Sequence, residues 1–404
     1  MAGLYVHIPF CRSRCIYCGF YSTTALDLRQ RYVDALCREW QLRRQEMTAP
    51  LDTIYLGGGT PSQLLPAQLQ QLFDALPSAG AEVTMEVNPD DVTALFAGAL
   101  SRLPITRISM GAQTFDDRRL RFLHRRHSAA QVSQAVRLLR DAGIRNISID
   151  LMYGFPQETL DDWLYDIDAA LALDVEHLSA YCLMVEEGTE LEEKIKNRSE
   201  NIEMPDEETE RRMYYALIDR LTAAGYEHYE ISNFARRGRR SLHNSSYWHD
   251  VPYIGLGAAA HSYLPSATVL GDFAAAPPAT VLGDFAAASP ATVLGDLVAE
   301  PPAVRSWNVS DIHQYIEAIE QGKIPCEREL LDDDTRYNDR IATALRTSDG
   351  LDLAMLSERH RRYCMQEARR YIDDGLLRQT DNRLVLTRKG LFVSDMVMSA
   401  LMLV

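Results

Sequence analysis

The sequence predicts an α/β fold: a partial (β/α)6 barrel followed by a C-terminal, mainly helical, winged-helix-like domain. Three observations predict it. From Leu4 to about Tyr181, short β runs alternate with amphipathic helical stretches, the pattern of a parallel sheet covered by helices. Six such units suit a sheet that curls into a partly closed barrel, whose function sits at the carboxyl ends of the strands. After Trp307 the order becomes helix, helix, a two-stranded wing and a last helix from Gly390 to Leu403.

The β runs are Leu4 to Ile8, Thr53 to Leu56, Glu82 to Val87, Arg107 to Met110, Asn146 to Met152 and Glu176 to Ala180. Helical periodicity covers Asp27 to Gln45, Pro66 to Leu76, Ala129 to Ala142 and Leu160 to Leu171. These place the barrel at 1–230, its last part a long helical pattern beyond Pro205 that continues through Tyr226 to Ile231 into a loop. Residues 231–266 read as a loop rich in Arg, His and aromatics. Three copies of a 12-residue Ala/Pro-rich unit, each opening Ala-Thr-Val-Leu-Gly-Asp, occupy 267–302. Such units are too short to stack as a solenoid, so they read as an insertion. The winged-helix-like domain takes 303–404.

At 404 residues with 46% apolar and 25% charged content, the chain has ordinary globular composition. No stretch is long and apolar enough to span a bilayer. Met1 to Phe10 has neither the basic start nor the cleavage site of a secretory signal, so the expected compartment is the cytoplasm. A net charge of −15 argues against nucleic acid as a partner. Glu186 to Glu210 concentrates that charge, with 11 acidic and 3 basic residues, and reads as a solvated surface.

Seven cysteines are present, three of them in Cys11-Arg12-Ser13-Arg14-Cys15-Ile16-Tyr17-Cys18. Cys37, Cys182, Cys326 and Cys364 stand alone. In a reducing compartment the cluster reads as a metal site rather than a disulfide. Zinc would need a fourth ligand, for which His7 is available, and usually takes two separated cysteine pairs. A four-iron cube held by three thiolates instead leaves one iron open to a small chelating molecule.

The loop resembles that of the radical S-adenosylmethionine (radical SAM) enzymes, whose signature is Cys-x-x-x-Cys-x-x-Cys after the first barrel strand. The likeness continues through Tyr5 to Phe10, Gly57-Gly58-Gly59-Thr60-Pro61, Met85-Glu86-Val87-Asn88-Pro89, Ser109-Met110-Gly111-Ala112-Gln113, Arg125-Arg126-His127-Ser128 and Asp150 to Gly154. Together these look like the coproporphyrinogen-oxidase-like branch, over nearly all of the chain outside the repeats. The resemblance implies a [4Fe-4S] cluster on Cys11, Cys15 and Cys18. It implies S-adenosylmethionine held by Tyr5, Tyr17, Gly58, Gly59, Thr60, Glu86, Gln113, Arg125 and Asp150. The glycines would admit close backbone approach, Arg125 would pair with the methionyl carboxylate, and the acids at the strand ends would take the amino group and ribose. Singly, each of these residues would pass for a packing, surface or capping residue.

Within that branch, oxidases carry a fourth cysteine two residues after the third, where this chain has Phe20. They also begin with a longer segment ahead of the loop. Both departures match a haem-chaperone group, as does His243-Asn244-Ser245-Ser246-Tyr247-Trp248, which looks like that group's haem-associated His-Asn-x-x-Tyr-Trp element. On this likeness His243, Tyr247 and Trp248 are the haem residues, with Arg236, Arg237, Arg239 and Arg240 available to propionates. His249 and His261 are secondary candidates, and His124 stands where the branch usually has glycine. Without the resemblance, a loop histidine beside a basic turn would have no such role. The implied function is a haem chaperone that passes haem to acceptor proteins, with an electron donor for its cluster. The alternative is an oxygen-independent coproporphyrinogen III oxidase, so whether the chain is an enzyme stays open at this point.

Overall fold

The computed structural model describes residues 2–47, 49–197, 202–265 and 303–403. The three 12-residue copies lie outside the described residues. β1 (Gly3–Ile8), α1 (Arg29–Arg43), β2 (Thr53–Gly58), α2 (Pro66–Ala75), β3 (Glu82–Val87), α3 (Ala94–Leu100) and β4 (Arg107–Gln113) open the chain. Then come α4 (Asp117–Phe122), α5 (Ala129–Asp141), β5 (Ile147–Tyr153), α6 (Leu160–Leu171), β6 (His177–Cys182), α7 (Glu190–Lys196) and α8 (Glu207–Ala223). Strands β1 to β6 pair in parallel in chain order, as the alternation predicts.

Some of the helices start where a side chain satisfies a free N–H: Thr159 caps α6 by accepting from Asp162, and Asp206 caps α8 by accepting from Thr209. Their apolar faces cover one face of the sheet. Leu4, Val6, Ile8, Ile54, Leu56, Val83, Met85, Ile108, Met110, Ile149 and Leu178 are buried there. The alternate residues of the same strands are polar. Such alternation is unlike a parallel sheet packed on both faces or a filled barrel. It leaves the other face of the sheet lined by polar and charged side chains, among them Glu86, Arg107, Ser109 and Asp150.

The sheet runs further than the six-unit expectation. β7 (Glu227–Glu230) and β8 (Asn233–Ala235) add beside β6, while β9 (Tyr253–Leu256) pairs in parallel with β1. Between them lies α9 (Leu242–Trp248). β10 (His261–Pro265), β11 (Ala303–Asn308) and β12 (Cys326–Leu331) continue outward antiparallel, with α10 (Ile312–Glu320) packed on α1. Among the described residues the sheet has twelve strands and stays open, its edges β12 and β7 unpaired with each other.

Two expected boundaries are therefore corrected. Residues 231–265 are not a separate loop but carry β8, α9, β9 and β10. The C-terminal unit begins near Asp332 rather than at 303, because β11 and β12 hydrogen-bond into the barrel sheet. That unit comprises α11 (Asp333–Ala344), β13 (Leu351–Asp352), α12 (Glu358–Asp373), β14 (Leu377–Thr380), β15 (Arg383–Leu386), α13 (Arg388–Leu391) and α14 (Ser394–Leu401). Its sheet runs β13-β15-β14 over a separate core that includes Tyr337, Ile341, Cys364 and Leu384, the helix-and-wing order expected. Arg346 ties it to the barrel through an ion pair with buried Glu230 at 2.9 Å. Among the described residues no helix is long and apolar enough to cross a membrane.

Candidate cluster and cofactor site

The cysteine loop leaves the carboxyl end of β1 and is pinned at both sides. Cys11 N–H donates to Thr23 O at 2.9 Å, and Ile16 donates its N–H to Leu123 O and accepts from Leu191 N–H. Ile16 is the anchor, buried with Leu123, Met152, Phe155, Leu183 and Leu191. All seven cysteines are free thiols. Burial pushes the Cys11 and Cys18 thiols up, and nearby Cys15 adds to both. Among the described residues no three His, Cys, Asp or Glu side chains stand as a ready metal site. The thiols share one loop without a preformed centre.

His7 is not a free fourth ligand for zinc. Its Nδ1 meets the Tyr5 hydroxyl at 2.9 Å and its Nε2 the carbonyl of Tyr21 at 3.0 Å. Burial holds its pKa down at about 4.

Arg125 lies beside the loop, with Nη1 3.6 Å from Cys15 Sγ. Its Nη2 donates to Asn88 Oδ1 at 2.7 Å and to Gly111 O at 2.6 Å. Its Nε is buried without a partner. An orphaned guanidinium N–H beside Cys15 suits an anionic group that chelates a centre held by the loop. Thr60 Oγ1 stands 3.5 Å from Cys11 Sγ, and the Tyr17 ring is close enough to Cys15 and Arg125 to feel both.

The acids sit one tier inside. Glu86 accepts from the Tyr55 hydroxyl at 2.8 Å and from Gly58 N–H at 3.1 Å. Burial raises it to about 7, nearby Asp150 adds to the rise, and Tyr55 opposes it. Asp150 accepts from Ser109 at 3.0 Å, and burial raises it too. Gln113 closes β4 in left-handed backbone, φ 67°, within reach of Gly111. The glycine run has a more local reason than expected. A Cβ on Gly58 would enter the His7 ring, and one on Gly59 would come to 2.6 Å from Pro9 C. The chain's own β1 crowds these positions.

The His243 element departs from its expected form. It is helix α9, not a loop, capped by Ser241 and held by Glu82, which accepts from Leu242 N–H at 2.9 Å. Thr53 and Glu82 begin their strands, so α9 closes the amino end of the barrel, away from the cysteines. His243 is 1% exposed, with Nδ1 on Thr53 Oγ1 and Nε2 on the Tyr247 hydroxyl, both at 2.8 Å. In this arrangement the ring offers no free nitrogen to a haem iron. Trp248 lies under the Arg346 guanidinium, 5.3 Å from the ring centroid. Two of the arginines expected for propionates are also engaged. Arg236 bonds Ala224 O and Asp174, while Arg240 pairs with Glu227. His249 bonds Ser245 O, and His261 stacks on Trp307.

Residues 5–170 match the model of the radical SAM superfamily, and 331–393 that of the HemN C-terminal domain. A protein named heme chaperone HemW from Mycobacterium tuberculosis is 31% identical over 411 residues, covering 99% of this chain and 94% of that one. The chain belongs to the HemW family. HemW of Bacillus subtilis is 38% identical over 273 residues, 65% of this chain and 71% of the relative. A solved structure of Escherichia coli coproporphyrinogen III oxidase (HemN), a radical SAM enzyme, superposes with TM-score 0.77 at 21% identity, covering 99% of this chain and 89% of that one. That likeness carries the fold.

For this HemW-family chain, the inward residues Tyr55 and Arg107 carry no mark in the sequence motifs, and Asn88 and Ser109 stand in motifs without an assigned role. The signal was there as period-two polarity, in Thr53-x-Tyr55, Glu82-x-Thr84-x-Glu86, Arg107-x-Ser109 and Ser148-x-Asp150. His124, the unexplained departure from glycine, occupies left-handed backbone at φ 59°. That conformation is why glycine suits the position.

Proposed function

We propose that this chain is a haem chaperone, binding haem and handing it to acceptor haem proteins in the cytoplasm. What carries the reading is the likeness to heme chaperone HemW over 99% of the chain. Phe20 supports it locally: a side chain 70% exposed occupies the position where an oxidase would add a fourth cysteine. In this reading Cys11, Cys15 and Cys18 hold a [4Fe-4S] cluster, and an electron donor serves it. Gly58, Gly59 and Thr60 would receive S-adenosylmethionine. When bound, the pair supplies one-electron chemistry at an open iron.

The chain's own residues then bind and orient. Arg125 turns its unpaired Nε–H to the methionyl carboxylate, beside the thiolate it already faces. Glu86 and Asp150 accept from the amino group and ribose, Gln113 adds an amide, and Tyr5 and Tyr17 wall the site. Tyr247 and Trp248 are half-buried on α9, whereas haem contact through His243 would require its ring to give up Thr53 or Tyr247. A haem site elsewhere leaves α9 in place.

The test is anaerobic reconstitution followed by two assays in parallel. Haem titration should change the absorption spectrum, and the haem should pass to an apo-acceptor. Sustained conversion of coproporphyrinogen III with no haem transfer would overturn the proposal in favour of the oxidase.

A further inference from the structure

The His243 helix touches the cofactor tier from the opposite end of the barrel, through a short series of contacts. The His243 ring stacks on Tyr55, with centroids 5.1 Å apart and planes 27° apart. The Tyr55 hydroxyl donates to Glu86 Oε1 at 2.8 Å, and Glu86 Oε2 accepts from Gly58 N–H at 3.1 Å. Below, His243 is fixed by Thr53 and Tyr247, both at 2.8 Å, and crossed at its edge by Tyr247, with centroids 5.0 Å apart. Hydroxyls can donate or accept, so either neutral tautomer is satisfied.

We infer that His243 and Tyr247 form a positioning device for the cofactor site, setting Tyr55, and through it Glu86, from the barrel's amino end. The inference rests on the reading of Glu86 as an S-adenosylmethionine contact. A histidine ligand to haem needs a free nitrogen at an open edge, and His243 has neither. A positioning histidine needs burial, two fixed nitrogens and a neutral ring, and His243 has all three. Burial, with Arg107 nearby, holds its pKa down at about 3, so it stays neutral across the working range. Gly57 completes the fit, because a Cβ there would lie 2.7 Å from Tyr55 and 2.9 Å from Glu86.

Glu86 is faced by Tyr55 on β2, Asp150 on β5, Arg107 on β4, Tyr5 on β1 and Tyr247 on α9. Its carboxylate form would accept from the methionyl amino group, so affinity for S-adenosylmethionine should rise with pH as Glu86 ionises near 7. The Tyr55 hydroxyl stabilises that carboxylate. Displacing or deleting it should move the midpoint upward.

The experiment measures S-adenosylmethionine affinity against pH on anaerobically reconstituted protein by equilibrium dialysis, with iron and sulfide content and the haem spectrum recorded for each variant. Tyr55→Phe and His243→Ala should each weaken binding at pH 7 by about two- to tenfold, the size of one net hydrogen bond. Both should shift the midpoint up at wild-type iron content. His243→Phe, which keeps the stack, should recover part of the loss. Tyr247→Phe and Tyr55→Phe each delete one hydroxyl and keep the ring, so they carry the test where His243→Ala fails to fold. Wild-type affinity and midpoint in these variants, with Glu86→Gln weakened, would overturn the positioning role alone. Wild-type affinity in Glu86→Gln would instead remove Glu86 from the cofactor site.

Discussion

Arg125 and Cys15 stand 3.6 Å apart across 110 residues of sequence, which joins the end of the fourth barrel unit to the cysteine loop. The guanidinium is already oriented by Asn88 and Gly111, so the unpaired Nε–H is presented rather than searching for a partner. Arg125→Ala should weaken S-adenosylmethionine binding by about 1.5 to 3 kcal/mol, the range for a hydrogen bond to a charged group. Arg125→Lys should recover little of it, because an ammonium cannot reproduce the fork. Equilibrium binding on reconstituted protein checks both, and unchanged affinity in Arg125→Ala would take this residue out of the site.

Glu86 makes the cofactor-free protein sensitive to pH in a definite direction. In the folded chain it titrates near 7, against about 4.3 when unfolded. Between those values the native state keeps a proton that the unfolded chain has released, so its contribution to stability is lost as pH rises through that window. Glu86→Gln removes the dependence. The variant should melt higher than wild type above pH 7, with the margin closing below about pH 4. A margin that widens toward acid would contradict the assignment of a buried, protonated carboxyl.

Sequence reading reached the six barrel strands because each apolar run is separated from the next by a helix with an apolar stripe. It did not reach β7 to β12. Those strands are short, and the three-copy insertion separates β10 from β11 in sequence, so nothing local says they join β1 and β6. Helix α9 was hidden for a different reason: His243 to Trp248 has polar residues where a surface helix would show an apolar stripe, and only its Ser241 cap marks a start. Cys11, Cys15 and Cys18 were legible because few folds place three thiols so close. Tyr55 and Arg107 were not, since polar residues at every second position of a strand read as a wet face until the sheet is known to curl round them.

His124 is held in left-handed backbone that a Cβ disfavours by roughly 1 to 2 kcal/mol. Its only described ion pair, with Glu190 at 3.7 Å, joins two half-exposed side chains and is worth little. His124→Gly should therefore stabilise the protein by up to about 1 kcal/mol, while His124→Ala should bring no such gain. Denaturant midpoints of the two variants measure this directly, and equal values would mean that the turn carries no strain.

Two glycines with different surroundings should respond oppositely to alanine. Gly58 lies at φ 106°, and a Cβ there would run into the His7 ring, which Tyr5 and the Tyr21 carbonyl hold in place. The ring cannot yield without breaking those bonds, so Gly58→Ala should cost about 3 kcal/mol or more from backbone strain and overlap together. Gly98 sits within α3 with nothing inside 4 Å of its would-be Cβ. Gly98→Ala should stabilise by about 0.5 to 1 kcal/mol, because alanine loses less backbone freedom in a helix. Urea titrations of the cluster-free variants test the pair side by side, and a tolerated Gly58→Ala would show that His7 is free to move and that β1 does not set the glycine run.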